Sequence, residues 1–279
     1  MLMVPTKVLP ATLLDRVKRS PLVYQVARRV RFAVGSMLGA RTVPGIPGRC
    51  HYNDFMLDSS APADVRGYYQ GAIKFVDILQ RALQSVGRDW ASVEKCLEIG
   101  CGYGRIIRVL SERLPAERIY VCDVIGEGAA FTGEEFGVKV FPLAEQAREK
   151  DWGSFDLIYL LSVYTHMNDS DVAGNLKAVA RLLKPGGVLV LTTQGPVSAR
   201  DADRYGHFWL DKAELNRELK AEGYYYAKYP YYLEDYGVAW FTEARMRELA
   251  EHPDRGLRFV SYTPAGLDGH QDVFVYQKA

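Results

Sequence analysis

The stretch Lys95-Cys96-Leu97-Glu98-Ile99-Gly100-Cys101-Gly102-Tyr103-Gly104 decides the fold. It opens as a short buried strand that carries an acid near its end. Glycines then occupy every second position, and a helical pattern begins near Arg105. Glycines in a strand-to-helix turn let the backbone take positive φ and let a ligand approach the main chain closely. The dinucleotide fingerprint spaces its glycines G-x-G-x-x-G and seats a pyrophosphate on the helix N-terminus. Here the spacing is G-x-G-x-G behind Glu98, whose carboxylate repels a pyrophosphate and suits a ligand with positive charge.

Working outward, the chain alternates between strand and helix patterns. After the first strand come a helix over 105–114, a strand over 118–124, a weak helix over 127–136, and a strand over 138–141. A helical turn at 144–150, a strand over 155–163 and a helix over 169–183 capped by Asp169 follow. Lys184-Pro185-Gly186-Gly187 then turns into a strand over 188–193. Such alternation predicts a parallel sheet covered by helices on both faces. Upstream, Val65, Tyr68, Ala72, Val76, Leu79, Leu83 and Val86 mark a long amphipathic helix after Ser59–Asp64, with Tyr68 and Tyr69 able to reach over the first loop. Downstream, 195–240 reads as irregular and Tyr-rich around one helix over 211–222. A second helix fits 242–252, and strands fit 257–263 and 271–276.

Composition bounds the reading. The 279 residues are 48% hydrophobic and 25% charged, the profile of a globular protein of one large domain with room for an appendage. Net charge is +1, which argues against nucleic acid as a partner. Charge is uneven, however. Residues 1–41 carry eight Lys or Arg against Asp15 alone, a local +7 that leaves −6 elsewhere. This head is amphipathic over 13–38, divided by Pro21, and reads either as a helical lid on its own domain or as a contact for a membrane surface or a protein partner. Gly39–Gly48 reads as a linker. Four cysteines without a C-x-x-C pair, and no signal peptide or spanning apolar run, predict reduced thiols and a cytoplasmic protein, peripheral at the inner face of the membrane if the head binds there. The expected division is a basic helical extension and linker over 1–50 and a main domain over 51–279.

The glycine stretch resembles motif I of the class I S-adenosylmethionine (SAM)-dependent methyltransferases. Phe155-Asp156-Leu157-Ile158-Tyr159-Leu160-Leu161-Ser162-Val163-Tyr164-Thr165-His166-Met167 is similar to their fourth-strand motif, and Leu183-Lys184-Pro185-Gly186-Gly187 to their turn before strand five. The resemblance covers residues 95–194 in the expected order. It implies an α/β, Rossmann-like, doubly wound seven-stranded sheet, mostly parallel with an antiparallel last strand, behind the N-terminal helical extension. The tail Gly266-Leu267-Asp268-Gly269-His270-Gln271-Asp272-Val273 looks, more loosely, like a subgroup associated with sugar modification.

Carried onto this chain, the resemblance implies SAM as cofactor and S-adenosylhomocysteine as product. Gly100, Cys101, Gly102 and Gly104 would line the methionine part, and Glu98 would face its amino end. Asp123, nineteen residues past Gly104, would accept the ribose hydroxyls, and Val124 would pack on the adenine. Glu145 is a candidate for the adenine amine, while Leu161, Ser162 and Tyr164 would border the sulfonium.

Methyl transfer to a hydroxyl requires alignment, exclusion of water and removal of a proton. His166 after strand four and His270 at the start of the last strand meet the same edge and are the candidate bases. His207, Gln194, Tyr229, Tyr232 and Tyr236 lie in or beside the segment after strand five (195–241), an expected acceptor cover for a small-molecule or saccharide hydroxyl. Thr192-Thr193-Gln194 offers no carboxylate, so the expected chemistry is metal-independent. The competing classes are a non-catalytic SAM-fold partner of a glycan-modifying complex and a nicotinamide-dependent oxidoreductase.

Overall fold

The computed structural model describes residues 20–57, 59–202, 209–232 and 236–279. His207 and the first half of the basic head lie outside the described residues. The described chain opens with α1 (Pro21–Leu38), which ends at Gly39 with φ +67°. The segment read as a linker is instead a short antiparallel hairpin, β1 (Ala40–Thr42) with β2 (Arg49–His51). Its turn carries apolar residues inward, and Val43, Ile46 and Cys50 share a small core with Leu57, Val65 and Tyr68. Glycine and proline here shape a packed hairpin. α2 (Pro62–Ser85) follows with the predicted periodic face buried.

Next come β3 (Cys96–Ile99), α3 (Ile107–Leu110), β4 (Ile119–Cys122), α4 (Gly126–Phe136), β5 (Lys139–Val140) and β6 (Phe155–Leu160). They lead to α5 (Asp169–Leu182), β7 (Leu183–Gln194), α6 (Pro196–Arg200) and α7 (Lys212–Glu222). The chain continues with β8 (Tyr224–Lys228), β9 (Gly237–Phe241), α8 (Glu243–Ala250), β10 (Leu257–Leu267) and β11 (Gln271–Lys278). The main sheet runs β10-β11-β7-β6-β3-β4-β5, parallel from β5 to β7, with β11 antiparallel between β7 and β10. This is the expected seven-stranded sheet with its antiparallel last strand.

Three local readings change. α3 is a single regular turn rather than a helix over 105–114, because amides around it alternate between i−3 and i−4 carbonyls: Val109 N bonds Ile106 O while Leu110 N bonds the same oxygen. The cap of α5 is Asn168, whose side chain accepts from Asp171 N at 2.9 Å, and Asp169 instead pairs with Arg245 at 2.6 Å. The Tyr-rich segment contains an antiparallel hairpin, β8 with β9, hung from the main sheet where Trp240 meets Gln194.

Strand residues alternate between two cores. Leu157, Tyr159, Val188 and Val190 face α2, α3 and α4, whereas Ile158, Leu160, Leu189 and Leu191 face α5 and α8. At the lower edge of the sheet, buried Asp156 accepts from the backbone amides of Glu94 and Lys95, both at 3.0 Å, and pairs with Arg88 and Lys184 at the same distance. These partners hold its carboxyl below the usual carboxylate range despite burial. Its stabilising contribution is therefore present above the unfolded carboxyl pKa and lost as pH falls through the lower folded value. Asp156→Ala leaves two backbone amides without an acceptor and Arg88 without its carboxylate, while Lys184 keeps Glu94 at 2.9 Å, so chemical denaturation should show a loss of about 3 kcal/mol at neutral pH. A loss no larger than that of an exposed pair would mean the carboxylate is dispensable.

Candidate active site

The carboxyl ends of β3, β4, β6 and β7 and the start of β11 meet along one edge, because Gln271 pairs with Gln194. After β3 the chain turns through Gly100, Gly102 and Gly104, all at positive φ. At Gly100 (φ +83°) an added Cβ would sit 2.5 Å from Val163 Cγ2, so both conformation and space require glycine. The amides of Gly100 and Cys101 donate to Cys122 O at 2.8 and 3.2 Å, which ties the turn to the end of β4. Asp123 completes the tie. Its Oδ2 accepts from Gly102 N and its Oδ1 from Ile125 N, each at 2.7 Å. Cys101 is buried beneath the loop, and Val124 stands beside it 84% exposed, an unusual setting for an apolar side chain at a strand tip.

Glu98 is 2% exposed and accepts from Tyr159 Oη at 3.1 Å. Burial pushes its carboxyl up to about 8, so near neutrality it is largely protonated. A nearby cation would favour the ionised form.

At the tip of β6, Ser162 takes φ +58°, a left-handed conformation that a serine adopts only under constraint. A closed polar ring supplies the constraint. Ser162 N donates to Thr192 Oγ1 at 2.8 Å, Thr192 Oγ1 to Gln271 Oε1 at 2.7 Å, and Gln271 Nε2 to Ser162 Oγ at 2.7 Å. Leu161 beside it is partly buried. Tyr164 belongs elsewhere: it is fully buried in the α5-side core, with its hydroxyl on Asn175 Oδ1 at 2.8 Å. The pleat and the turn after β6 carry it away from the edge, so it does not border the site as expected. Asn175 in turn binds Glu145.

His166 is partly buried, with Nδ1 3.0 Å from Gly237 O and its ring stacked on Tyr236 at 5.0 Å. Burial lowers its pKa to about 4. His270 caps the other side of β7, its amide on Leu267 O at 3.0 Å, and burial lowers its pKa too. Gln194 lies between them at the end of β7. Its Nε2 reaches Ala239 O at 3.5 Å, and its buried Oε1 has no hydrogen-bond partner among the described residues. Tyr229 and Tyr232 are each 6% exposed, because they pack with Tyr24, Tyr231 and Trp240 into a core of their own. Most of the expected aromatic cover is thus spent on packing, and Tyr236 is the member set against His166.

Tyr68 and Tyr69 do not reach the loop either. Tyr68 binds Asp54 at 2.7 Å and Tyr69 binds Glu112 at 3.3 Å. The residues that do roof the loop went unmarked in the sequence. His51 stacks on Tyr103 at 4.6 Å, and Tyr103 Oη donates to Glu127 Oε2 at 2.6 Å beside Asn53. Only the hairpin, unseen in the sequence, brings His51 and Asn53 there. Gln271 was likewise invisible as a site residue, since its partners lie far away in sequence.

A family model described as a methyltransferase domain matches residues 66–251, from α2 through α8. The chain belongs to that family. This methyltransferase is similar in structure to a SAM-dependent methyltransferase from Mesorhizobium loti, with 16% identity over 74% of this chain and 98% of that one and a TM-score of 0.51. A putative SAM-dependent methyltransferase from Listeria monocytogenes matches at 14% identity, 75% and 98% coverage, and a TM-score of 0.51. The PH0226 protein from Pyrococcus horikoshii OT3 matches at 15%, 76% and 91%, with a TM-score of 0.53. At these identities the likeness is one of fold.

The enzyme is therefore a class I SAM-dependent methyltransferase, which removes the nicotinamide oxidoreductase alternative. The residues present suit SAM. A Cβ built on Gly102 would meet nothing within 4 Å, so the turn is open on that side, while Val124 offers an apolar platform and Glu98 a counter-charge on demand. Asp123 keeps lone pairs beyond the two it spends on backbone. Among the described residues no group of three or more His, Cys, Asp or Glu is arranged to hold a metal ion.

The raised pKa of Glu98 has a measurable sign. The folded state holds a proton that the unfolded chain releases above its ordinary value of 4.5, so this group's contribution is complete below that pH and lost as pH rises through about 8. In Glu98→Gln, which cannot ionise, thermal stability without SAM should decline less between about pH 6 and 9 than in the wild type, by up to ~1.4 kcal/mol per pH unit. Parallel stability curves for the two proteins would show that Glu98 is ionised at neutral pH.

Proposed function

We propose that the protein transfers the methyl group of SAM to a hydroxyl of a small molecule or saccharide, with His166 as general base. The hydrogen bond between His166 and Gly237 carries this reading. A carbonyl only accepts, so Nδ1 holds the ring proton and Nε2 keeps its lone pair. With a pKa near 4 the ring is neutral at physiological pH, and stacking on Tyr236 fixes its plane. A neutral, oriented imidazole at the strand edge has a lone pair to take the hydroxyl proton, as a weaker base than an unburied histidine.

SAM supplies an electrophilic methyl on a sulfonium. In this reading Gly100, Cys101, Gly102 and Gly104 line its methionine end, and Glu98 ionises against its ammonium. Asp123 accepts from the ribose hydroxyls while holding Gly102 and Ile125, and Val124 packs on the adenine. Leu161 and Ser162 border the reacting centre, where the Ser162–Thr192–Gln271 ring fixes the backbone. Gln194 offers its buried Oε1 to an acceptor hydroxyl, with Tyr236 and His270 on either side and Tyr229 and Tyr232 as backing. The working division remains a head over 1–50 and a catalytic unit over 51–279 with its acceptor side in 195–241, acting in the cytoplasm. The saccharide class rests on the tail resemblance, which Gln271 now joins to the site.

Calorimetry should show SAM and S-adenosylhomocysteine binding to the wild type, and a loss of about 1.5–3 kcal/mol in Asp123→Ala. His166→Gln should leave SAM affinity unchanged and lower S-adenosylhomocysteine formation on a hydroxyl acceptor by about 10²- to 10⁴-fold. Full turnover by that variant would move the base elsewhere, and undiminished affinity in Asp123→Ala would remove Asp123 from the cofactor.

A further inference from the structure

We propose that α1 lies in the plane of an anionic lipid surface and docks the enzyme there through its outward face. The helix is inverted relative to an ordinary surface helix. Leu22, Val23, Val26, Val30, Val34 and Met37 are all exposed, Leu22 by 70% and Met37 by 87%. At 100° per residue these six fall within an arc of roughly 120°, a continuous apolar stripe along one side. The opposite side is anchored to the protein. Tyr24 is 2% exposed and packs edge-on against Tyr231 and Tyr232 at 5.0 and 5.4 Å, and Arg28 lies over the Tyr232 ring at 4.8 Å. Asn53 Nδ2 donates to Phe32 O and Ser36 Oγ, each at 3.0 Å. The apolar stripe therefore cannot be turned inward without breaking this packing.

Charge selects the occupant. No acidic residue occurs between Asp15 and Asp54, whereas Arg16, Lys18, Arg19, Arg28, Arg29, Arg31 and Arg41 all do, with Arg49 already paired to Glu135 at 2.7 Å. Exposed Arg29 flanks the stripe on one edge, and half-buried Arg31 lies beyond the other. Two copies of this helix, packed face to face, would bring like charges together with no carboxylate on either helix to offset them. An anionic headgroup layer offsets them, and its acyl boundary takes the stripe. The helix lies on the surface rather than crossing it, since no helix among the described residues is long and apolar enough to span a membrane. Docking also has an address within the enzyme, because ring contacts run from Tyr24 through Tyr232 and Tyr236 to His166. The helix face opposite the stripe is thus packed on the aromatic cluster that leads to His166.

The test is co-sedimentation of the full chain with phosphatidylcholine vesicles, with and without about 30% phosphatidylglycerol, at low and high NaCl. Binding should be at least tenfold stronger to the anionic vesicles and should fall as salt screens the arginines. Val26→Glu with Val30→Glu should lower partitioning by at least tenfold, and Arg29→Ala by about fivefold, while calorimetric SAM affinity stays unchanged. Should the double variant fail to fold, Arg29→Ala and the salt dependence still decide the matter. Wild-type protein that ignores anionic vesicles, or binds both compositions equally, overturns the proposal. So does a wild-type dimer without vesicle binding that the double variant splits, which would assign the stripe to a second copy. SAM affinity reports on the methyltransferase reading separately, so one idea can fail without the other.

Discussion

A single carboxylate holds the geometry on which the rest of the site depends. Asp123 spends one oxygen on the amide of Gly102 and the other on the amide of Ile125, so the turn after β3 and the entry to α4 share one fixed point at the tip of β4. Cys122 O adds the amides of Gly100 and Cys101. Two neighbouring residues thus satisfy four backbone donors in a region where the chain has left its strands and has no ladder to supply partners. The turn keeps its open side as a result, and α4 approaches closely enough that a Cβ on Gly128 would meet Gly102 O at 2.6 Å.

The opposite half of the edge is fixed by a different device. The ring of Ser162, Thr192 and Gln271 joins β6, β7 and β11, and the left-handed Ser162 is the strained member that the other two hold in place. One half therefore relies on backbone amides gathered by a carboxylate, the other on neutral side chains that bond one another. Under the proposed function, the first half takes the polar ribose and methionine groups of the cofactor. The second then leaves no formal charge near the sulfonium, where a fixed carboxylate would stabilise the reactant as well as the transition state.

Much of this was legible in the sequence, for a physical reason. Buried parallel strands need apolar runs, their crossovers need amphipathic helices, and the turn at Gly100 needs residues without a Cβ. These local demands write themselves into adjacent positions. What escaped was written across distance. Tyr164 has the residue type and place of a site residue, yet the turn after β6 delivers it to Asn175. The β8–β9 hairpin hides because, Lys228 apart, its strand positions are all aromatic or apolar, so no alternation marks its two faces. Gly39–Gly48 has the composition of a linker, and only the burial of Val43 and Ile46 against α2 reveals a hairpin. Gln271 gains its meaning from Ser162, 109 residues away in sequence.

The position of β11 has a bearing on how such a chain comes together. It is made after β10 yet lies between β10 and β7, so the sheet cannot be assembled in order of synthesis. Until residues 271–278 arrive, β7 presents a rim of unpaired backbone N–H and C=O groups, and β10 has no neighbour in the sheet at all. The sheet therefore closes when the β10–β11 hairpin docks β11 on the rim of β7, with β10 outermost. Because that last piece also carries Gln271, a molecule in which the hairpin has not docked lacks the ring that constrains Ser162. Under the proposed function, the reaction edge and the fold are completed in the same event.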